Sequence, residues 1–108
     1  MSDITLSLKE VHQLATDCLV GGGCDEENAK AVAGTIHDAE RDGCSSHGLF
    51  RLPGYVASLK SGKVNGTAVP EIRHLSGSVI QANGNGGYAP LALQKSRPAL
   101  IDAARGNG

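Results

Sequence analysis

Apolar residues recur at helical spacing near the start of the chain. Leu8, Val11, Leu14, Ala15, Cys18 and Leu19 form one stripe, the pattern of a helix that buries a single face. The stripe opens on Ser7-Leu8-Lys9-Glu10, a capping box in which the Ser7 hydroxyl accepts from the Glu10 amide and the Glu10 carboxylate accepts from the Ser7 amide. Leu6 and Val11 stand where a hydrophobic staple places its two residues, and Gly21-Gly22-Gly23 ends the helix. A second stripe, Ala29, Val32, Ala33 and Ile36, follows Asp25 as N-cap, with Glu26 and Glu27 in a first turn that favours negative charge. Asp42-Gly43 stops it. The short glycine-rich connection predicts that these two helices pack as an antiparallel pair.

A third helix is expected to start near Ser46 or Gly48 and to run to about Ser61-Gly62, with Leu52, Val56 and Leu59 facing inward. Pro53 is tolerable only near a helix start, so the start can fall later. Asn65-Gly66 marks a turn. Two extended runs, residues 71–75 and 79–82 with Ser76-Gly77 between them, read as a β-hairpin. The last helix spans about Tyr88 to Arg105. Pro90 suits its first turn, whereas Pro98 removes a donor well inside it and is expected to kink or split it. The predicted class is therefore α+β and mainly helical: three N-terminal helices, a short β-hairpin and a C-terminal helix. The chain stops at Gly106-Asn107-Gly108, where a C-cap before a further strand is expected. This predicts an N-terminal fragment or a truncated product of a longer protein.

Composition narrows the class of partner. The 108 residues hold room for one small domain or part of a larger one. Only 3% are aromatic, so the core must come from Ala, Val, Leu and Ile. A net charge of −1 with no basic patch argues against nucleic acid. No apolar run approaches the ~18 residues of a membrane span, and Met1-Ser2-Asp3-Ile4-Thr5 lacks the features of a signal peptide. A cytoplasmic location is the default expectation. Cys18, Cys24 and Cys44 match no zinc spacing and are read as free thiols. No metal site is expected, and His12, His37 and His74 are read as surface or structural residues.

The densest chemistry lies in residues 41–55, Arg-Asp-Gly-Cys-Ser-Ser-His-Gly-Leu-Phe-Arg-Leu-Pro-Gly-Tyr. If the chain is helical from His47 onward, Arg51 shares its face, Tyr55 lies within about 80° of it and Ser58 returns to it. That face would carry a proton donor, a cation able to grip a carboxylate, and a phenol, with Ser46 beside the imidazole. The set suits reduction of a C=O or C=N group next to a carboxylate, with His47 protonating the heteroatom. The competing reading makes Ser46 an N-cap and the remaining residues a solvated face. Gly84-Asn85-Gly86-Gly87-Tyr88-Ala89 formally matches a G-x-G-x-x-A dinucleotide fingerprint. It follows half of a hairpin and no second parallel strand comes after it, so a plain glycine-rich connection is the favoured reading there.

Arg41-Asp42-Gly43, Ser46-His47-Gly48, Arg51-Leu52-Pro53-Gly54-Tyr55 and Leu59…Gly62…Asn65 together resemble the N-terminal region of the malate/L-lactate dehydrogenase family of the non-Rossmann type. The wording is nearest to its Δ1-piperideine-2-carboxylate/Δ1-pyrroline-2-carboxylate reductases. The resemblance covers the chain from the first helix to Gly108. It implies residues 1–66 as a helical N-terminal domain and residues 67–108 as the truncated start of an α/β cofactor-binding domain. It implies an enzyme that moves hydride from NADH or NADPH to a 2-oxo acid or cyclic 2-imino acid and works as a cytoplasmic homodimer. It also implies His47 as proton donor, Ser46 in the same hydrogen-bond network, Arg51 on the substrate carboxylate or cofactor, and Tyr55 lining the pocket. The cofactor-binding residues are left unassigned, and most of the nicotinamide pocket is expected beyond Gly108. The 108 residues alone are expected to be inactive. The alternative is a truncated, non-catalytic helical interaction module.

Overall fold

A computed structural model describes residues 3–108. The elements run α1 (Leu8–Gly22), α2 (Glu26–Arg41), two 3₁₀ turns (Ser45–His47 and Leu49–Arg51), α3 (Leu52–Lys60), β1 (Glu71–Ser76), β2 (Val79–Asn83) and α4 (Ala89–Asn107). The predicted architecture, four helices with one antiparallel hairpin, forms. No helix among the described residues is long and apolar enough to cross a membrane.

Both capping-box bonds of α1 are made, at 3.1 Å to the Ser7 hydroxyl and 2.9 Å to the Glu10 carboxylate. The Ser7 amide holds the Glu10 carboxyl below its ordinary range. Gly23 closes α1 with φ 117°, and its amide donates to the Leu19 and Val20 carbonyls. That left-handed geometry suits a residue without Cβ. Asp25 caps α2 as expected, accepting from the Asn28 amide at 2.9 Å.

The core lies between α1 and α2. Val11, Ala15 and Leu19 meet Ala29, Val32, Ala33 and Ile36, and Leu52 and Cys24 complete the cluster. Burial, with Asp25 adding to it, pushes the Cys24 thiol above its ordinary pKa. Val56 and Leu59 pack against the same cluster from α3, the inward set the spacing predicts.

The segment 65–69 joins this helical pair to the rest of the fold. Gly66 accepts the Asp25 amide at 2.9 Å, and a Cβ on Gly66 would stand 2.6 Å from the Gly23 carbonyl oxygen. Buried Asn28 donates to the Ala68 carbonyl at 3.0 Å. Asn65 donates its amide to the Gly86 carbonyl at 2.8 Å, and the Asn85 side chain donates to the Val69 carbonyl at 2.6 Å. One short stretch thus fixes the start of α2 against the turn that leads into α4.

In the hairpin, Glu71 faces Asn83 and His74 faces Ile80, after which a register shift brings Ser76 opposite Val79. This bulge leaves Gly77-Ser78 as the connection, one residue later than the predicted Ser76-Gly77. α4 packs on both strands and on α2, and Asn107 donates to the Gly77 carbonyl at 2.7 Å. Of the expected kink or split, the split does not occur: α4 is one helix that includes Pro98. Pro98 and Gln94 are both exposed, so water can serve the Gln94 carbonyl that loses its helical donor.

The larger correction concerns the third helix. It begins at Leu52, not near Ser46 or Gly48. Gly48 is extended, with φ −93° and ψ −136°, and separates the two 3₁₀ turns. Pro53 therefore falls in the first turn of α3, where its missing N–H removes no helical bond. The continuous helical face through His47, Arg51, Tyr55 and Ser58 does not exist.

Candidate active site

The connection from α2 to α3 is built by local backbone bonds. Cys44 donates its amide to the Ala39 carbonyl at 2.8 Å, His47 to Cys44 at 2.9 Å, and Arg51 to Gly48 at 3.0 Å. Arg41, at the end of α2, turns outward onto Asp42 (Nε to Oδ1, 2.9 Å) and Asp38 (3.5 Å). The Asp42 hydrogen bond raises the Arg41 pKa, and Arg41 lowers that of Asp42 in return. This ion pair is exposed and contributes little to stability, but it occupies Arg41 away from the Ser46–His47 turn.

Three of the four predicted site residues come together, by a route that helical spacing did not foresee. Ser46 Oγ lies 3.0 Å from His47 Nδ1. Arg51 Nε donates to the Ser46 carbonyl at 2.9 Å. Arg51 is thus tied to the Ser46–His47 pair through the backbone of Ser46. With Nε so engaged, the two Nη groups remain for an incoming carboxylate, which fits end-on, bidentate recognition. With Nδ1 paired to Ser46, Nε2 is the ring nitrogen left to exchange a proton outward. All three side chains are exposed on this chain.

Tyr55 is placed differently. It is half-buried, packs against the helical core, and meets Tyr88 edge-to-face with ring centroids 5.5 Å apart and planes at 80°. The Tyr88 hydroxyl donates to the Tyr55 carbonyl at 2.5 Å. Burial first, with smaller contributions from Cys24 and Tyr55, pushes the Tyr88 phenol up to about 12. The folded state therefore holds its proton where an unfolded chain, near 10, has lost it. Stability from this group is complete below pH ~10 and is lost as pH rises through about 12. Following the Tyr88 ring resonances by NMR should place its midpoint clearly above that of a free tyrosine. A midpoint near 10 would contradict the half-buried, hydrogen-bonded placement.

Sequence spacing missed two contributors. Glu40 accepts the Leu49 amide at 2.9 Å, and Gly48 lies so close to the Glu40 carboxylate that it has no room for a Cβ. The available signal was a glycine directly after the histidine and an acid in the last turn of α2. Sequence spacing gives Tyr88 no site role of its own: it marks a helix boundary and falls in the glycine-rich stretch.

The glycine stretch 84–87 is a turn. Asn85 and Gly86 have φ of 51° and 80°, and Gly87 donates to the Gly84 carbonyl at 3.0 Å, the pattern of a type I′ turn. The Asn85 amide is taken by Asn83 Oδ1 at 2.9 Å. The amides of Asn85 and Gly87 are thus bonded internally. His12 and His37 meet edge-to-face across α1 and α2 with centroids 6.3 Å apart, and His37 Nδ1 pairs with Asp38 at 2.9 Å. Among the described residues no group of three or more His, Cys, Asp or Glu is placed to hold a metal ion. Cys18 is half-buried, Cys24 buried and Cys44 exposed, all free.

Comparison with known proteins follows the same outline. A family model described as malate/L-lactate dehydrogenase matches residues 6–108. The chain is 48% identical over 102 residues to a Delta(1)-pyrroline-2-carboxylate reductase from Ancylobacter novellus, covering 94% of this chain and 30% of that protein. It is 39% identical over 108 residues to Delta(1)-pyrroline-2-carboxylate reductase 1 from Burkholderia ambifaria, covering 32% of that protein. Among solved structures it superposes on delta1-piperideine-2-carboxylate reductase from Pseudomonas syringae pvar. tomato with a TM-score of 0.93 and 38% identity, over 98% of this chain and 32% of that one. The chain thus spans about a third of the length of the relatives it matches.

Proposed function

Because the chain belongs to the malate/L-lactate dehydrogenase family, we propose that it is the N-terminal part of a cytoplasmic, homodimeric reductase. Its substrate is a cyclic 2-imino acid of the Δ1-pyrroline- or Δ1-piperideine-2-carboxylate type, or a related 2-oxo acid. The observation that carries this reading is the Ser46–His47–Arg51 cluster, a proton donor and a carboxylate grip held by two hydrogen bonds. The reductases named among its relatives support the imino acid class.

A reduced nicotinamide, NADH or NADPH, supplies the hydride when bound. The residues of this chain take the other parts. Arg51 presents its Nη groups to the substrate carboxylate and so sets the position of the adjacent C=N carbon. Protonated His47 donates Nδ1–H to the Ser46 hydroxyl and holds Nε2–H toward the substrate nitrogen. When the nitrogen gains its proton from Nε2, the neutral imidazole that remains keeps its Nδ1 proton on Ser46, so the tautomer does not change. Tyr55 lines the pocket from α3.

Residues 1–66 form the helical domain in this reading, and residues 67–108 begin an α/β domain that the rest of the polypeptide completes. The exposure of Leu75 (59%), Val79 (47%) and Ile101 (50%) supports this, since large apolar side chains on the hairpin and α4 suit a surface that further chain covers. The test is NAD(P)H oxidation by the full-length polypeptide with Δ1-pyrroline-2-carboxylate, Δ1-piperideine-2-carboxylate and pyruvate. Turnover with at least one cyclic imino acid is expected. No turnover with any of the three, in protein shown to be folded, would refute the assignment.

A further inference from the structure

We infer that Glu40 is a positioning residue for His47, a role that rests on the reductase reading above. The turn bearing Ser46 and His47 is attached at both ends to the last turn of α2. Upstream, the attachment is backbone to backbone, Cys44 amide to Ala39 carbonyl at 2.8 Å. Downstream it is a side chain: Glu40 Oε1 accepts the Leu49 amide at 2.9 Å. Arg51, the last residue of the second 3₁₀ turn, adds a third restraint through the Ser46 carbonyl.

The downstream attachment also depends on Gly48. Its backbone rests directly on the Glu40 carboxylate, and a Cβ there would overlap Oε1 and stand 2.5 Å from Cδ. The absence of a side chain at Gly48 is what lets the carboxylate reach the Leu49 amide. The first amides of a helical turn have no partner within that turn. Leu49 opens the second 3₁₀ turn and takes its partner from Glu40 instead. Glu40 is half-buried, while its neighbour Arg41 is paired outward with Asp38 and Asp42, so no adjacent cation draws the carboxylate off this bond. Glu40 acts as a bracket: it fixes the residue two positions after His47 and thereby the direction of the imidazole. A catalytic group displaced by ~1 Å loses on the order of 100-fold in rate.

The test uses the full-length polypeptide and separates geometry from charge. Glu40→Ala removes the acceptor and should lower kcat about 10- to 100-fold with little change in KM. Glu40→Gln keeps an acceptor oxygen of the same reach without the charge and should restore kcat to within about threefold of wild type. Gly48→Ala, which pushes the carboxylate aside, should resemble Glu40→Ala. Combined with His47→Ala, Glu40→Ala should lower the residual rate no further, because its effect passes through the imidazole. Hydrogen exchange supplies a readout independent of turnover: in Glu40→Ala the Leu49 amide should exchange at least about tenfold faster while amides within α2 are unchanged. Unchanged Leu49 exchange overturns the inference, as does an active wild type whose Glu40→Ala variant keeps full kcat. A Gln variant as slow as the Ala variant also overturns it, since the effect would then be one of charge. If the wild type reduces no substrate, the functional reading fails instead, and accelerated Leu49 exchange would still report the bracket.

Discussion

His47→Ala in the full-length polypeptide is expected to lower kcat by about 100-fold or more, the lower end of what a positioned general acid contributes. That loss corresponds to a barrier higher by at least about 2.7 kcal/mol. His47 is exposed, and its side-chain hydrogen bond runs to the adjacent Ser46, so truncation should leave the fold and its melting temperature in place. Arg51 keeps its bond to the Ser46 carbonyl in the variant, because that acceptor is main chain. Substrate binding through the Nη groups should therefore survive, and the loss should fall on kcat far more than on KM. The pH dependence adds a second check: the limb of the rate profile that reports the acid should vanish with the imidazole. Turnover within a few-fold of wild type would remove His47 from the reaction.

Leu19→Ala should destabilise the fold by about 3 kcal/mol, within the ~2–5 kcal/mol typical of a buried leucine. Leu19 is fully buried between α1 and α2. Two members of the same cluster, Ala15 and Ala33, have no side-chain atoms beyond Cβ with which to fill the space. The residue also sits above the joint at Gly23 and Cys24, whose amides donate to its carbonyl, so collapse around the cavity would disturb the α1–α2 connection. Leu14 on the same helix provides the control. It is 43% exposed, and Leu14→Ala should cost well under half as much. Urea denaturation of both variants, followed by far-UV circular dichroism, decides the matter. Equal midpoints would mean that the core does not lie where the structure puts it.

Helix α1 was legible at its caps because those signals are local, although Leu8 and Leu14 of its apolar stripe are exposed. A capping serine, an acid three residues later, an apolar stripe and a glycine run each act within a few residues, and the bonds they predict are present. The hairpin was legible for the same reason, apart from a one-residue bulge that no local signal marks. The Ser46–His47 region was legible in composition and not in shape. Helical spacing placed Arg51 beside His47 for the wrong reason, since Gly48 breaks the helix and the contact runs through a main-chain carbonyl. What shapes this turn is a carboxylate nine residues before Leu49 in sequence, and no periodicity encodes a bond of that kind. Pro98 shows the opposite case: a strong local signal does not split α4 where the helix face is open to water.

The contact between Tyr55 and Tyr88 has an optical consequence. The 108 residues contain two tyrosines and no tryptophan, and the two rings meet where α3 approaches the residue that caps α4. Near-ultraviolet emission from this stretch of chain therefore originates at a single joint. Separation of α4 from the helical pair would change that emission without any attached label.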